Sequence, residues 1–269
     1  MAAFQGSLMV RRESGSTDRD GGRDWMLARI REIATSWQQD MKFRRCGIGF
    51  GGPVLFNEQR VALSTHVGGW SDFALAEHVT GMLGVQTIID NDANVGALGE
   101  LRHGAGMGLD PLFYITLSTG IGGGLVANGH TYRGADSYAG EIGHTVIDRN
   151  GPECLCGARG CLERMCSGLW LERDHGRTAK DLMADPEFVA RYVVDLAAGL
   201  KTCLMLLNPG AIVIGGGIAK AGDKLFVPLR AELARQMTAW SRARVDVRPA
   251  GLADDSVLYG AMELTHELS

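Results

Sequence analysis

Twice in this chain an apolar run ends abruptly in glycine. Leu112-Phe-Tyr-Ile-Thr-Leu117 leads into Ser118-Thr119-Gly120-Ile-Gly-Gly-Gly124, and Ala211-Ile-Val-Ile214 leads into Gly215-Gly216-Gly217. Short apolar runs bounded by glycine read as buried strands. The chain must therefore fold around a sheet whose strand ends turn tightly or let backbone approach closely. Glycine is 38 of 269 residues, about twice the usual ~7%, so the clustering is not a background effect. Between such strands lie segments of helical period. Residues 25–37, 75–83, 93–101, 188–207 and 225–240 read as helices, with another from Ser256. Strands are expected at 46–50, 85–90, 112–117, 124–127, 211–214 and 245–248, with Asn128-Gly129 as a hairpin turn. Residues 188–207 are mostly apolar and stop at Asn208-Pro209-Gly210, which marks a buried helix. Residues 11–23 read as a surface loop and 106–111 as a hinge. Strands alternating with helices give an α/β fold.

The length allows one large domain or two small ones and supports a sizeable core. A hydrophobic fraction of 45% excludes disorder, and no Gly-x-y period supports a collagen helix. Net charge is −4 with no long basic run, so no nucleic-acid partner is expected. No apolar stretch approaches the ~20 residues of a membrane span, so no membrane partner is expected either. Residues 1–12 lack the apolar core of a signal peptide, which makes a cytoplasmic location the expectation.

Four of the six cysteines lie within thirteen residues. In such a chain this favours metal binding over a disulfide framework. Cys154, Cys156 and Cys161, with His144 ten residues upstream, supply four ligands for tetrahedral Zn²⁺. Four protein ligands leave no open position, so the zinc expected here is structural. Reduced thiols or a local disulfide are the alternatives.

Ile89-Asp90-Asn91-Asp92-Ala93-Asn94 falls where a strand becomes a helix. A carboxylate there faces the crevice of an α/β protein, and Asp92 is the candidate general base for an attacking alcohol. Helix capping is the alternative, though two aspartates and two asparagines exceed what one cap needs. The glycine runs after strands present N–H groups suited to a phosphate, with plain tight turns as the alternative. Neither run matches a dinucleotide fingerprint or a P-loop. Glu141 and Glu163 flank the cysteine cluster as metal-site orienters, sugar-hydroxyl acceptors or solvated surface groups.

Glu141-Ile-Gly-His144 followed by Gly151-Pro-Glu-Cys-Leu-Cys-Gly-Ala-Arg-Gly-Cys-Leu-Glu163 resembles the signature of the ROK family of bacterial sugar kinases and sugar-responsive repressors. The resemblance extends through Asn91-Asp92-Ala-Asn-Val-Gly-Ala-Leu-Gly-Glu100, Ser118–Gly124 and Asn208–Gly217. It implies a two-lobed actin-like/hexokinase-type (ribonuclease H-like) ATPase fold with the ligand cleft between lobes. Residues 1–109 would form the smaller lobe, joined by 256–269, and residues 110–255 the larger one with the zinc and nucleotide sites. It implies Asp92 as catalytic base. Gly52, Asn91, Glu141, His144 and Glu163 would bind the sugar, with help from residues 64–70. Thr119 and Gly120 would contact ATP phosphates, and Gly216 and Gly217 the adenosine. His144, Cys154, Cys156 and Cys161 would bind structural Zn²⁺, and Mg²⁺ would accompany ATP. A homodimer is implied as well. His66 borders the expected sugar segment and reads more simply as a loop histidine.

The resemblance departs at the start. Family kinases open with a strand and an Asp-x-Gly-Gly-Thr loop, whereas this chain begins Met1-Ala-Ala-Phe-Gln-Gly-Ser-Leu-Met-Val-Arg-Arg12, similar to the hairpin that follows that loop. The expectation for the chain as written is weakened catalysis and an unpaired sheet edge. Two functions follow: an ATP-dependent kinase of a hexose or N-acetylhexosamine, glucokinase-like, or a non-catalytic sugar-sensing protein. The helix-turn-helix that the family's repressors carry has no counterpart before Ala2, so DNA binding is not expected.

Overall fold

A computed structural model describes residues 1–269 except 19, 65, 66, 242 and 269. The strands are β1 (Ala2–Gln5), β2 (Leu8–Arg12), β3 (Arg45–Phe50), β4 (Val54–Leu55), β5 (Arg60–Val61), β6 (Gln86–Asn91), β7 (Leu112–Leu117), β8 (Ile121–Ala127), β9 (His130–Tyr132), β10 (Ala211–Gly215) and β11 (Val247–Pro249). The helices are α1 (Gly22–Gln38), α2 (Leu75–Leu83), α3 (Asp92–His103), α4 (Leu162–Cys166), α5 (Gly168–His175), α6 (Ala179–Leu182), α7 (Pro186–Leu207), α8 (Asp223–Gln236) and α9 (Ser256–Leu264).

The largest sheet runs β11-β10-β7-β8-β9, with the first three strands parallel and β8 and β9 each antiparallel to the strand before it. Side chains of β7 alternate between its faces, as the period of a strand requires. Phe113, Ile115 and Leu117 join Leu196, Leu200 and Leu204 of α7 and Phe226 and Leu229 of α8 in one core. Leu112 and Tyr114 meet Ala93, Ala97 and Leu101 of α3 on the other face. The second half is built on the parallel pair β3–β6, against which Leu27, Trp70, Leu75 and Val79 pack. Among the described residues β1 pairs only with β2 and β3 only with β6, so β1 and β3 each keep one edge without a strand partner.

Helix α3 joins the halves, because it packs both on the large sheet and on α9. That contact demands glycine. A Cβ on Gly99 would lie 2.1 Å from Ser256 O, and one on Gly260 would lie 1.7 Å from Val95 O.

Some elements depart from the sequence reading. Helix α8 stops at Gln236, since Met237 is extended and Trp240 lies 82% exposed instead of continuing a buried stripe. The strand expected at 245–248 is shifted to Val247–Pro249, where it pairs with β10. Helices α4 to α6 are too short for periodicity to reveal them. Positive φ at Asn128 and Gly129 makes the expected β8–β9 turn, and Asn208, also at positive φ, ends α7.

Candidate functional site

The site is built where β6 runs into α3. Asn91 ends the strand and caps the helix: its Oδ1 accepts the N–H groups of Ala93 and Asn94, and its Nδ2 donates to Gly52 O at 3.0 Å. The capping alternative is thus true of Asn91, and it leaves Asp92 free for other work. Asp92 is the first residue of α3, and the space a Cβ would take on Gly51 lies 3.6 Å from Asp92 Oδ2. Burial raises the Asp92 carboxyl to about 6, the Ala93 N–H opposes the rise, and the charge of Glu141 adds to it. Gly52 has φ of 155° and sits between Leu63 O and the Phe50 ring.

From the other side come Glu141, His144 and Glu163. Glu141 is half-buried, and burial raises its carboxyl, opposed by His144 and assisted by Glu163. The charges of His144 and Glu163 therefore act on Glu141, and that of Glu141 on Asp92. Glu163, in the first turn of α4, accepts Ile121 N–H at 2.9 Å. His144 ends a 3₁₀ turn and is exposed, with Nδ1 4.0 Å from Cys154 Sγ.

The thiols of Cys154, Cys156 and Cys161 and a ring nitrogen of His144 all lie within 4.8 Å of one another, and Cys156 Sγ is 3.6 Å from Cys161 Sγ. A tetrahedral zinc with Zn–S bonds of ~2.3 Å needs donor separations of about 3.8 Å. The donor set therefore fits such an ion, and no disulfide links any of these cysteines. Nδ1 turned to the sulfurs leaves Nε2 as the histidine's other hydrogen-bonding atom.

The glycine runs divide differently from the sequence reading. Gly122, Gly123 and Gly124 lie inside β8, paired with Thr116, Ile115 and Tyr114 of β7, and do not form an open phosphate cradle. Gly123 and Gly124 are glycine because backbone packs on them: a Cβ on Gly124 would meet Ala93 O at 2.3 Å, and one on Gly123 would meet Gly140 O at 2.5 Å. Only Ser118, Thr119 and Gly120 form the turn itself. Ser118 O and Thr119 O accept the N–H groups of Gly168 and Leu169 at the start of α5. Gly216, with φ of 93°, sits against Leu117 O, and the Cβ position of Gly217 is 3.8 Å from Ser118 Oγ. The two glycine segments, a hundred residues apart in sequence, are neighbours. A small cavity of about 120 Å³ opens beside Gly216, lined by Ala219, Lys220, Pro249 and Asp254 among others. A larger one of about 280 Å³, near Met183, Val189 and Lys224, contains none of the expected site residues.

In the expected segment 64–70, Trp70 is core, packed edge-to-face on Phe50. His66 lies outside the described residues. Sequence reasoning missed two buried carboxylates. Asp90 accepts Asn91 N–H and Asn94 Nδ2, which accounts for the surplus of Asp and Asn at 90–94. Glu100, fully buried, accepts the N–H groups of Ala105, Gly251 and Leu252 and the Ser256 hydroxyl.

The fold and site together define a two-lobed α/β protein of the actin-like kind, with acidic and histidine side chains converging where its halves meet. The sequence profile of the ROK family matches residues 3–268, and the chain belongs to that family. It is 35% identical to a glucokinase of Halalkalibacterium halodurans, covering 95% of this chain and 87% of that protein. It is 28% identical to the xylose repressor of Bacillus subtilis, covering 88% of this chain and 65% of the repressor. Among solved structures, the ROK hexokinase from Thermus thermophilus superposes with a TM-score of 0.80 at 27% identity, covering 98% of this chain and 95% of the other. No helix among the described residues is long and apolar enough to cross a membrane.

Proposed function

We propose that this chain is an ATP-dependent sugar kinase, moving the γ-phosphoryl group of ATP to a hydroxyl of a hexose or N-acetylhexosamine. The observation that carries this reading is the convergence of Asn91 and Asp92 from the β6–α3 junction with Glu141, His144 and Glu163 from the facing half. Likeness to a glucokinase and a hexokinase along nearly the whole chain supports it. Asp92 accepts the proton of the attacking hydroxyl as the oxygen bonds to phosphorus and the bond from phosphorus to the bridging oxygen of ADP breaks. A carboxyl raised to about 6 is still ionised at neutral pH and is a stronger base than an exposed aspartate. Asn91, Glu141, His144 and Glu163 hold the sugar's other hydroxyls, with Gly52 O beside them. Phosphoryl transfer otherwise needs positioning and charge neutralisation, which Mg²⁺ bound to ATP supplies.

Thr119 and Gly120 are assigned to the ATP phosphates, and Gly216 and Gly217 to the adenosine beside the 120 Å³ cavity. His144, Cys154, Cys156 and Cys161 hold a structural Zn²⁺ that shapes the loop between Glu141 and Glu163. Residues 1–109 with 256–269 form one lobe and 110–255 the other, a division supported by the packing of α9 on β3 and α3. A homodimer is part of this reading, with exposed Leu206 and Trp240 as apolar surface for it.

The likeness to a xylose repressor supports a second reading, sugar sensing without turnover. The test is transfer from Mg-ATP to a panel of hexoses and N-acetylhexosamines, read as sugar phosphate by mass spectrometry beside Asp92→Asn. Product from the wild type alone supports the kinase. Sugar binding by calorimetry with no product from a folded, zinc-loaded sample supports the sensor.

A further inference from the structure

Arg133 follows β9 and opens the segment that leads to Glu141. Its Nε donates to Asp90 Oδ2 at 2.7 Å, and its Nη2 donates to both carboxylate oxygens of Glu267 at 3.0 and 3.2 Å. The guanidinium carbon of Arg133 lies over the Phe56 ring, 3.4 Å from its centroid. The Asp90 side chain is 3% exposed and that of Arg133 16%. Arginine is suited to this place, since its planar fork bonds two carboxylates while its face stacks on an aromatic ring.

The other oxygen of Asp90 accepts Asn91 N–H at 2.7 Å and Asn94 Nδ2 at 3.0 Å. Asp90 therefore grips the turn that carries Asn91 and Asp92. The segment behind Arg133 is tied down as well: Ala139 N–H donates to Arg133 O, and Ser137 Oγ accepts Phe56 N–H. One ion pair thus spans from the β6–α3 junction that carries Asn91 and Asp92 to the segment that carries Glu141.

We infer that Arg133 is a positioning residue of the sugar site, holding Asp90, and through it Asn91 and Asp92, in register with Glu141. The inference rests on the sugar-kinase reading above. Among the described residues, Arg133 bonds to none of the proposed sugar-binding groups. Loss of its fork loosens Asp92 relative to the attacking hydroxyl and leaves the phosphate turn at Ser118–Gly120 untouched. A misplacement of about 1 Å in such a site costs up to ~10²-fold in rate.

The experiment measures kcat and KM for sugar and for ATP in the wild type, Arg133→Met, Arg133→Lys, Glu267→Gln, Asp90→Asn and the double variant Arg133→Met/Asp90→Asn. Melting temperatures and active-site titration correct each rate for folded protein. Arg133→Met is expected to lower kcat roughly 30- to 100-fold with KM for ATP within about twofold. Arg133→Lys restores part of the loss, because it keeps the charge and not the fork. Glu267→Gln, which leaves the Asp90 contact in place, gives a smaller loss in the same direction and serves if Arg133→Met does not fold. The double variant loses no more than its worse parent, as residues acting through one contact do. Unchanged kcat per folded site in Arg133→Met and Glu267→Gln, or losses that add in the double variant, overturns the proposal alone. A folded wild type with no product from any sugar overturns the kinase reading, and this proposal with it.

Discussion

The carboxylate of Glu163 accepts the backbone N–H of Ile121 at 2.9 Å, so α4, at the end of the cysteine loop, is fastened to the strand that leaves the Ser118–Gly120 turn. One side chain thus belongs to both the proposed sugar site and the proposed phosphate turn. Glu163→Gln keeps one acceptor oxygen and loses the charge that strengthens such bonds. The expected outcome is a KM for sugar raised roughly ten- to a hundredfold, the equivalent of about 1.5–3 kcal/mol for a charged hydrogen bond. A smaller rise in KM for ATP should accompany it. Steady-state kinetics with each substrate varied in turn checks both.

Asp92→Asn removes the proposed base and should lower kcat by roughly 10²–10⁴-fold. In the wild type, kcat/KM should fall tenfold per pH unit below about 6, where Asp92 protonates. Stability should move the opposite way. The folded-state carboxyl titrates above its ordinary value near 3.8, so the folded chain holds its proton more firmly. The cost of the charge therefore grows as pH rises from about 4 through 6 and is constant above. Asp92→Asn relieves it, giving about 1–3 kcal/mol at pH 8 and nothing near pH 3. Melting curves across that range test the sign.

The cluster at His144, Cys154, Cys156 and Cys161 should carry one zinc per chain, measured by elemental analysis of protein purified without added metal. Cys161→Ser, at a fully buried ligand, should lose the metal and lower the melting temperature on the order of 5–10 °C. Sugar binding should weaken with it, because Glu141 and Glu163 flank the same loop. ATP binding should persist.

Among the described residues Glu100 takes four donors and no cation, three of them backbone N–H groups that only an acceptor can satisfy. Glu100→Gln turns an amide NH₂ toward one pair of those donors. The expected cost is about 2–4 kcal/mol, a fall on the order of 5–10 °C in melting temperature. Glu100→Asp, short by one methylene, should cost a similar amount and separates reach from charge. Thermal unfolding of both variants checks this.

Much of the fold was readable from local pattern. Helix 75–83 and strand 112–117 have the bounds the sequence predicts, because the helix buries one continuous face and the strand, apolar on both faces, is buried on both and ends at the Ser118–Gly120 turn. The cysteine loop and the Asn91-Asp92 turn were legible for a related reason: their partners lie within a few residues, so spacing alone restricts the geometry. Residues 122–124 were misread, since glycine that frees a backbone for phosphate and glycine that admits a neighbouring backbone look alike in a string of letters.

Contacts between distant segments belong to the tertiary structure. Asp90 meets Arg133 across 43 residues, and Glu100 reaches Ser256 across 156. Neither pair can be told from solvated surface charge until α3 and α9 approach at Gly99 and Gly260 and bring the halves together. Residue type and spacing determined which groups could ligate, cap or accept a proton. Burial and packing decided which of them are placed to do so, because a carboxylate's partners and its proton affinity depend on what displaces water around it.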